Sequence, residues 1–188
     1  MPIPRTISHP RRAAIIAAML AIVATTTLAA HLGIRPGVHD GALSWTETSW
    51  TMPLDNWGPG RVWRAGRPGG SDILLFARTK TGFCNCFNGV ADDAEIDRIG
   101  DVDLHGDNFV PAAAGQPTSI GDLPGRKRSF EINNRWSGGR HVLSIVAATD
   151  CKAVVATLVS DQPVTPAVEQ SAIALLTGEA FRHWAANQ

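Results

Sequence analysis

Residues 13–30 form a run of eighteen residues without a charged side chain, and the only charges before it are Arg5, Arg11 and Arg12. As a helix rising 1.5 Å per residue it would extend about 27 Å, close to the hydrocarbon thickness of a bilayer. Cations before an apolar run orient it with the N-terminus in the cytoplasm and the rest of the chain across the membrane. Two readings compete. A signal peptide would be cleaved near the small residues of Thr27-Leu28-Ala29-Ala30, whereas an uncleaved signal-anchor would tether the remainder of the chain. The run exceeds the usual 7–15-residue signal core, which favours the anchor. Arg11-Arg12 does not make a twin-arginine signal, because Ala13-Ala14 replaces the strongly hydrophobic residues expected after the pair. The expected layout is therefore a leader over 1–32, a Gly- and Pro-containing linker over 33–43, and one domain over 44–188. The expected location is the bacterial inner membrane, single-pass through residues 13–32, with the domain in the periplasm. Release into the periplasm after cleavage is the alternative.

Charge supports the division. Seventeen Lys+Arg balance seventeen Asp+Glu, but with three arginines in the leader the remainder carries 14 bases against 17 acids, a balance of −3. A mildly acidic domain is a poor nucleic-acid binder, so no nucleic-acid partner is expected. No second long apolar run exists, which excludes a multi-span protein.

After the linker, short strands are expected over 44–52 and 61–65, where Thr and Trp favour a pleated surface. A hairpin is expected over 73–87, turning at Thr79-Lys80-Thr81-Gly82, and a short helix over 91–98 with an acidic first turn. Residues 99–125 lack periodicity and read mostly as loop. Further strands are expected over 129–133, 141–148 and 153–159, with turns at Gly138-Gly139 and at 149–152. Thr165 is a natural N-cap and Pro166 suits the first helical position. Ile173, Leu176, Ala180 and Trp184 then recur at helical spacing. The expected fold class is α+β: a mainly antiparallel sheet with a C-terminal helix packed on it, preceded by the N-terminal signal or transmembrane helix. This order of hairpins and closing helix, over about the last sixty residues, loosely resembles the PsbP-like family of small exported α+β domains. The resemblance implies a fold and carries no functional residues, because no family motif accompanies it.

The cysteines are Cys84, Cys86 and Cys151. In an oxidising compartment a disulfide is the default. Alternate strand residues lie at the upper limit of Cα separation for bridging, so either Cys84 or Cys86 pairs more easily with Cys151 than with the other, and one cysteine is left over. A direct Cys84–Cys86 bridge at a bulge stays open. So does a soft-metal or thiol-exchange site built on the Cys84-x-Cys86 pair, of the kind that handles Cu(I).

Residues 91–107 hold seven acids against one Arg98. Asp101, Asp103, His105 and Asp107 imitate the start of a calcium loop, but the fifth position is His105 and the twelfth is Ala112 in place of the required Glu. A solvated acidic loop is the expectation, with these four as weak metal candidates and no resident cofactor. Arg126-Lys127-Arg128 reads as a solvated strand end. Trp45, Trp50, Trp57 and Trp63 cluster in sequence; they either cover one sheet face or form an aromatic patch for a ligand or partner.

No Gly-x-Ser-x-Gly, phosphate loop, His-Glu-x-x-His or Cys-x-x-Cys occurs. The expected function is a membrane-tethered periplasmic accessory or binding protein without catalysis, a small partner of a membrane complex. The alternative is a periplasmic copper-handling or thiol-active protein using Cys84 and Cys86.

Overall fold

The computed structural model describes residues 43–53, 55–66, 70, 72–82, 90–134, 138–149 and 151–188. The expected leader, the expected linker apart from Leu43, Cys84, Cys86 and the second arm of the expected 73–87 hairpin lie outside these residues. Among the described residues no helix is long and apolar enough to cross a membrane.

Eight strands form one sheet: β1 (Thr46–Thr48), β2 (Arg61–Ala65), β3 (Ile73–Thr81), β4 (Phe109–Pro111), β5 (Gln116–Ile120), β6 (Leu123–Asn134), β7 (Gly138–Thr149) and β8 (Lys152–Ser160). The order across the sheet is β1-β2-β3-β8-β7-β6-β4, and β5 also pairs with β6. Every pairing is antiparallel. A short helix α1 (Asp93–Ile99) and a 3₁₀ turn (Val102–His105) precede β4, and two helices, α2 (Pro166–Thr177) and α3 (Glu179–Ala186), close the chain. The class is α+β with a mainly antiparallel sheet.

The central strands carry apolar residues on both faces, as a sheet covered on both sides requires. One face presents Trp63, Leu75, Leu158, Leu143 and Ile145 to α2 and α3, which insert Val168, Ala172, Leu176 and Phe181. The other presents Val62, Phe76, Val142, Val146 and Val155, covered by Ile96 and Ile99 of α1, by Val102 of the 3₁₀ turn and by Trp50 and Met52 of the β1–β2 connection.

Four details differ from the sequence-based expectation. The strand expected over 44–52 is paired only at Thr46–Thr48. Residues 79–81 do not turn: β3 runs on to Thr81, with Arg78 and Lys80 buried against β8. Residues 99–125 are not mostly loop but contain the 3₁₀ turn, β4, β5 and the start of β6. There the Gly121-Asp122 dipeptide makes a two-residue hairpin between Ile120 and Leu123, with Gly121 at φ 59°. The single C-terminal helix is two, divided at Gly178, whose extended backbone (φ −62°, ψ 148°) ends α2 and starts α3. The expected stripe does not carry across the break: Leu176 is buried, Ile173 and Trp184 are half-buried and Ala180 is exposed, while Phe181 and Ala185 are the buried residues of α3.

Gly125 shows how tightly β6 is held. A Cβ there would lie 2.1 Å from the Val146 carbonyl oxygen and 2.7 Å from the Ala147 Cα on β7. Gly125→Ala is expected to cost about 1–3 kcal/mol in denaturant unfolding, since backbone, not a mobile side chain, must move aside.

Candidate functional site

The acidic segment and the basic triplet meet. Asp93 and Asp97 on α1 and Asp101 just beyond it are spaced four apart, so α1 turns them toward the sheet. Strand alternation puts Arg126 and Arg128 on the α1 side of β6 and Lys127 on the opposite side. Asp93 receives Arg126 Nη2 at 2.7 Å and the Gly115 amide at 3.0 Å, Asp97 receives Arg128 Nη1 at 2.6 Å, and Lys127 meets Glu169 of α2 at 2.5 Å. The Gly115 amide and then Arg126 hold the Asp93 carboxyl below its usual range. The expected solvated acidic loop and solvated basic strand end are therefore two halves of one docking surface. The missed signal was the four-residue period of the acids read against the two-residue period of the bases.

The ladder ends in a buried charge cluster. Asp101 adopts a left-handed backbone (φ 57°), which Asp tolerates better than most residues, and so turns its carboxylate inward after Gly100. Arg78 donates from Nε and Nη2 to Asp101 at 2.6 Å each, from Nη1 and Nη2 to Asp55 at 2.7 Å each, and from Nη1 to the Gly58 carbonyl at 3.2 Å. All five of its N–H groups are thereby used. Lys80 Nζ lies 2.5 Å from Asp101 and 3.1 Å from the Ile99 carbonyl. Trp50 stacks beside Arg78 and Trp57 beside Lys80, with ring centroids 5.8 and 5.7 Å from the cations. Two cations face two carboxylates, so the cluster is neutral. Burial alone weakens the hold of Arg78 on its proton, but Asp101 and Asp55 outweigh it and hold the guanidinium above its ordinary range. The same hydrogen bonds from Arg78 keep Asp55 below the usual carboxylate range.

His105 sits at the edge of this cluster, its ring 4.8 Å from that of Phe76 and its Nε2 2.9 Å from Thr157 Oγ1. Burial pushes its pKa down to about 4 despite the opposing charge of Asp101, and Arg140 lowers it further. No water-sized space separates Trp50, Phe76, Arg78 and His105.

Of the other residues singled out from sequence, Asp103 and Asp107 are exposed and take no part in the cluster. Among the described residues no group of three or more His, Cys, Asp or Glu side chains could hold a metal ion. Asp101 and His105 come together with Trp50 and Trp57, in structural contacts. The four tryptophans do not share a surface. Trp45 and Trp63 pack on the α2/α3 side, Trp45 donating to Ser171 Oγ at 2.9 Å and Trp63 meeting Phe181 edge-on at 5.8 Å. Trp50 lies on the other face, and Trp57 is 38% exposed. Cys151 is half-buried and left-handed (φ 62°) in the two-residue β7–β8 turn; its carbonyl receives the Gly82 amide at 3.1 Å.

Sequence reasoning missed a large opening. At the end of the sheet where the β5–β6 and β7–β8 turns lie, α3 leaves a cavity of about 340 Å³ above Ile120, Val154, Leu176, Phe181 and Ala185. All five are buried. The half-buried Lys152 and the exposed Arg182 and Asp122 also line it, which marks where it meets solvent. The volume lies at the lower end of the ~300–1,000 Å³ typical of small-molecule sites. No sequence signal announces it, because its walls come from four separate segments.

The chain matches no known protein family and no curated protein.

Proposed function

We propose that this chain is a membrane-tethered periplasmic binding protein, acting as a small partner of a membrane complex and working by holding a ligand rather than by catalysis. The observation that carries this reading is the cavity beneath α3, which combines an apolar floor, room for a small ligand and a rim open to solvent. The buried titratable groups, by contrast, are engaged with one another: Arg78 and Lys80 with Asp101 and Asp55, His105 with Thr157. The tether is residues 13–32, and the arrangement proposed for the sheet and its closing helices is PsbP-like.

Expression of the full chain in a bacterial host tests the tether. The protein is expected to stay with the membrane through an alkaline carbonate wash, at its full intact mass, and to be cleaved by protease added to spheroplasts. Recovery in the soluble periplasmic fraction at a mass lacking the leader would establish the cleaved form instead. In mild detergent it is expected to co-purify with a membrane partner; running alone under all such conditions removes the partner from the proposal.

One observation bears against the alternative reading, in which Cys84 and Cys86 are the working groups. The Gly82–Cys151 backbone bond starts the chain toward Cys84 from beside Cys151, and two residues span at most about 7 Å. That supports one cysteine of the pair bridging to Cys151 and the other remaining a thiol. Maleimide labelling of the native protein is expected to count one thiol, without copper. A stoichiometric copper content, or three thiols, would move the assignment to metal handling or thiol exchange.

A further inference from the structure

We infer that the cavity beneath α3 takes an uncharged lipophile of about ten carbons that carries one oxygen function, held by the Thr79 hydroxyl; the inference rests on the binding reading above. The floor supplies the lipophilic part. Ile120, Val154, Leu176 and Phe181 offer no side-chain hydrogen-bond partner, so a polar ligand body would lose its water without replacement. A dry apolar cavity of about 150 Å³ takes one benzene ring, so a cavity of about 340 Å³ takes roughly twice that.

The polar contact comes from β3. Strand alternation puts Thr79 on the same side as Leu75 and Ala77, toward α2 and α3. It lines the cavity and is only 9% exposed. Its hydroxyl, able both to donate and to accept, forms no hydrogen bond with the described residues. An enclosed hydroxyl without a partner is costly, and a ligand oxygen would remove that cost. The other two threonines of the lining differ. Thr177 is half-buried and already donates to the Ala174 carbonyl at 3.0 Å, and Thr149 is exposed. The rim sets no charge aside for a ligand. Lys152 Nζ is engaged by oxygens of Ala186 at 3.4 Å and Gln188 at 3.5 Å, and Asp122 lines the opening together with Arg182. A headgroup of either sign would meet repulsion as well as attraction there, and would give up water without gaining a free counter-charge. An uncharged ligand avoids that penalty.

The test uses the full chain in nanodiscs and a photoreactive diazirine derivative of 1-decanol, with labelled peptides mapped by mass spectrometry. Labelling is expected within residues 149–154 and 176–186. Unlabelled 1-decanol is expected to compete at least about tenfold better than decanoate or decyltrimethylammonium. Thr79→Val keeps the shape and removes the hydroxyl, and is expected to weaken competition by 1-decanol about fivefold. Undecane, in which a methyl group replaces the alcohol, is expected to compete equally well on parent and variant. If Thr79→Val fails to fold by circular dichroism, Thr79→Ala makes the same comparison. Competition by either ion as strong as that by 1-decanol would overturn the uncharged assignment. An unchanged response to 1-decanol in the threonine variant would overturn the role of Thr79. Both of these results leave the binding reading standing. Absence of labelling in both segments with diazirine derivatives of the alcohol, the carboxylate and the ammonium would overturn the inference and the binding reading together.

Discussion

Asp101→Asn is expected to destabilise the fold by about 3–5 kcal/mol, the largest loss for any single polar substitution in this chain. The substitution keeps the shape, and Asn tolerates the left-handed backbone (φ 57°) as Asp does, so the change isolates the charge. It leaves Lys80 with only the Ile99 carbonyl and Arg78 with only Asp55 as counter-charge, both cations still enclosed. The penalty arises because a buried cation that has lost its counter-charge recovers neither water nor a partner. Asp55→Asn breaks an ion pair with equally good geometry, yet the Asp55 side chain is 37% exposed, and solvent will screen the deficit. Its cost is expected to stay within about 1 kcal/mol. Urea unfolding of the two variants, of Arg78→Met and of Arg78→Met/Asp101→Asn measures both the contrast and the coupling. Equal small losses for both aspartates would show that the cluster is solvated and not a closed anchor.

Acid will weaken the protein well above the range where carboxylates titrate, and His105 will be responsible. Its folded pKa is pushed down to about 4, whereas an unfolded histidine titrates near 6.5. Between those values the unfolded chain takes up a proton that the folded one refuses, so stability falls as pH drops. The slope is about 1.4 kcal/mol per pH unit for this one proton, levelling off below the folded value. Asp55 and Asp93, held below the usual carboxylate range, contribute stability that is lost only as pH falls through and below about 3.9, outside that window. His105→Gln keeps a group able to bond Thr157 and removes the titration. The expected result is a flat stability profile from pH 6.5 to about 4 where the parent protein declines. Identical slopes for parent and variant would place the acid sensitivity elsewhere.

The elements that could be read directly were those with strong local periodicity. Valine and isoleucine runs marked β7 and β8, and Thr165-Pro166 marked the start of α2, where Thr165 Oγ1 accepts from the Val168 amide at 3.4 Å. The continuation of β3 through Arg78 and Lys80 could not be read locally, because charged residues in a strand look like its solvated end until their partners are known. Those partners, Asp55 and Asp101, lie 23 positions away in either direction along the chain from Arg78. The acids over 91–107 were conspicuous for the same reason that they were misread. Density of like charge signals repulsion and solvation, whereas three of the seven are the complement of a basic stripe on β6 and β3.

By itself the sequence determined the uneven division of charge between residues 1–30 and the rest of the chain, the α+β class, and the positions of the strongest strands and of the closing helical segment. Each comes from composition or from a period contained within a dozen residues. Only the tertiary structure decided which charges are buried, that Trp45 and Trp63 lie on the opposite side of the sheet from Trp50, that the closing helix is two, and that a cavity opens beneath the second. These depend on strand register and on residues far apart in the chain, where a shift of one position exchanges the two faces of the sheet.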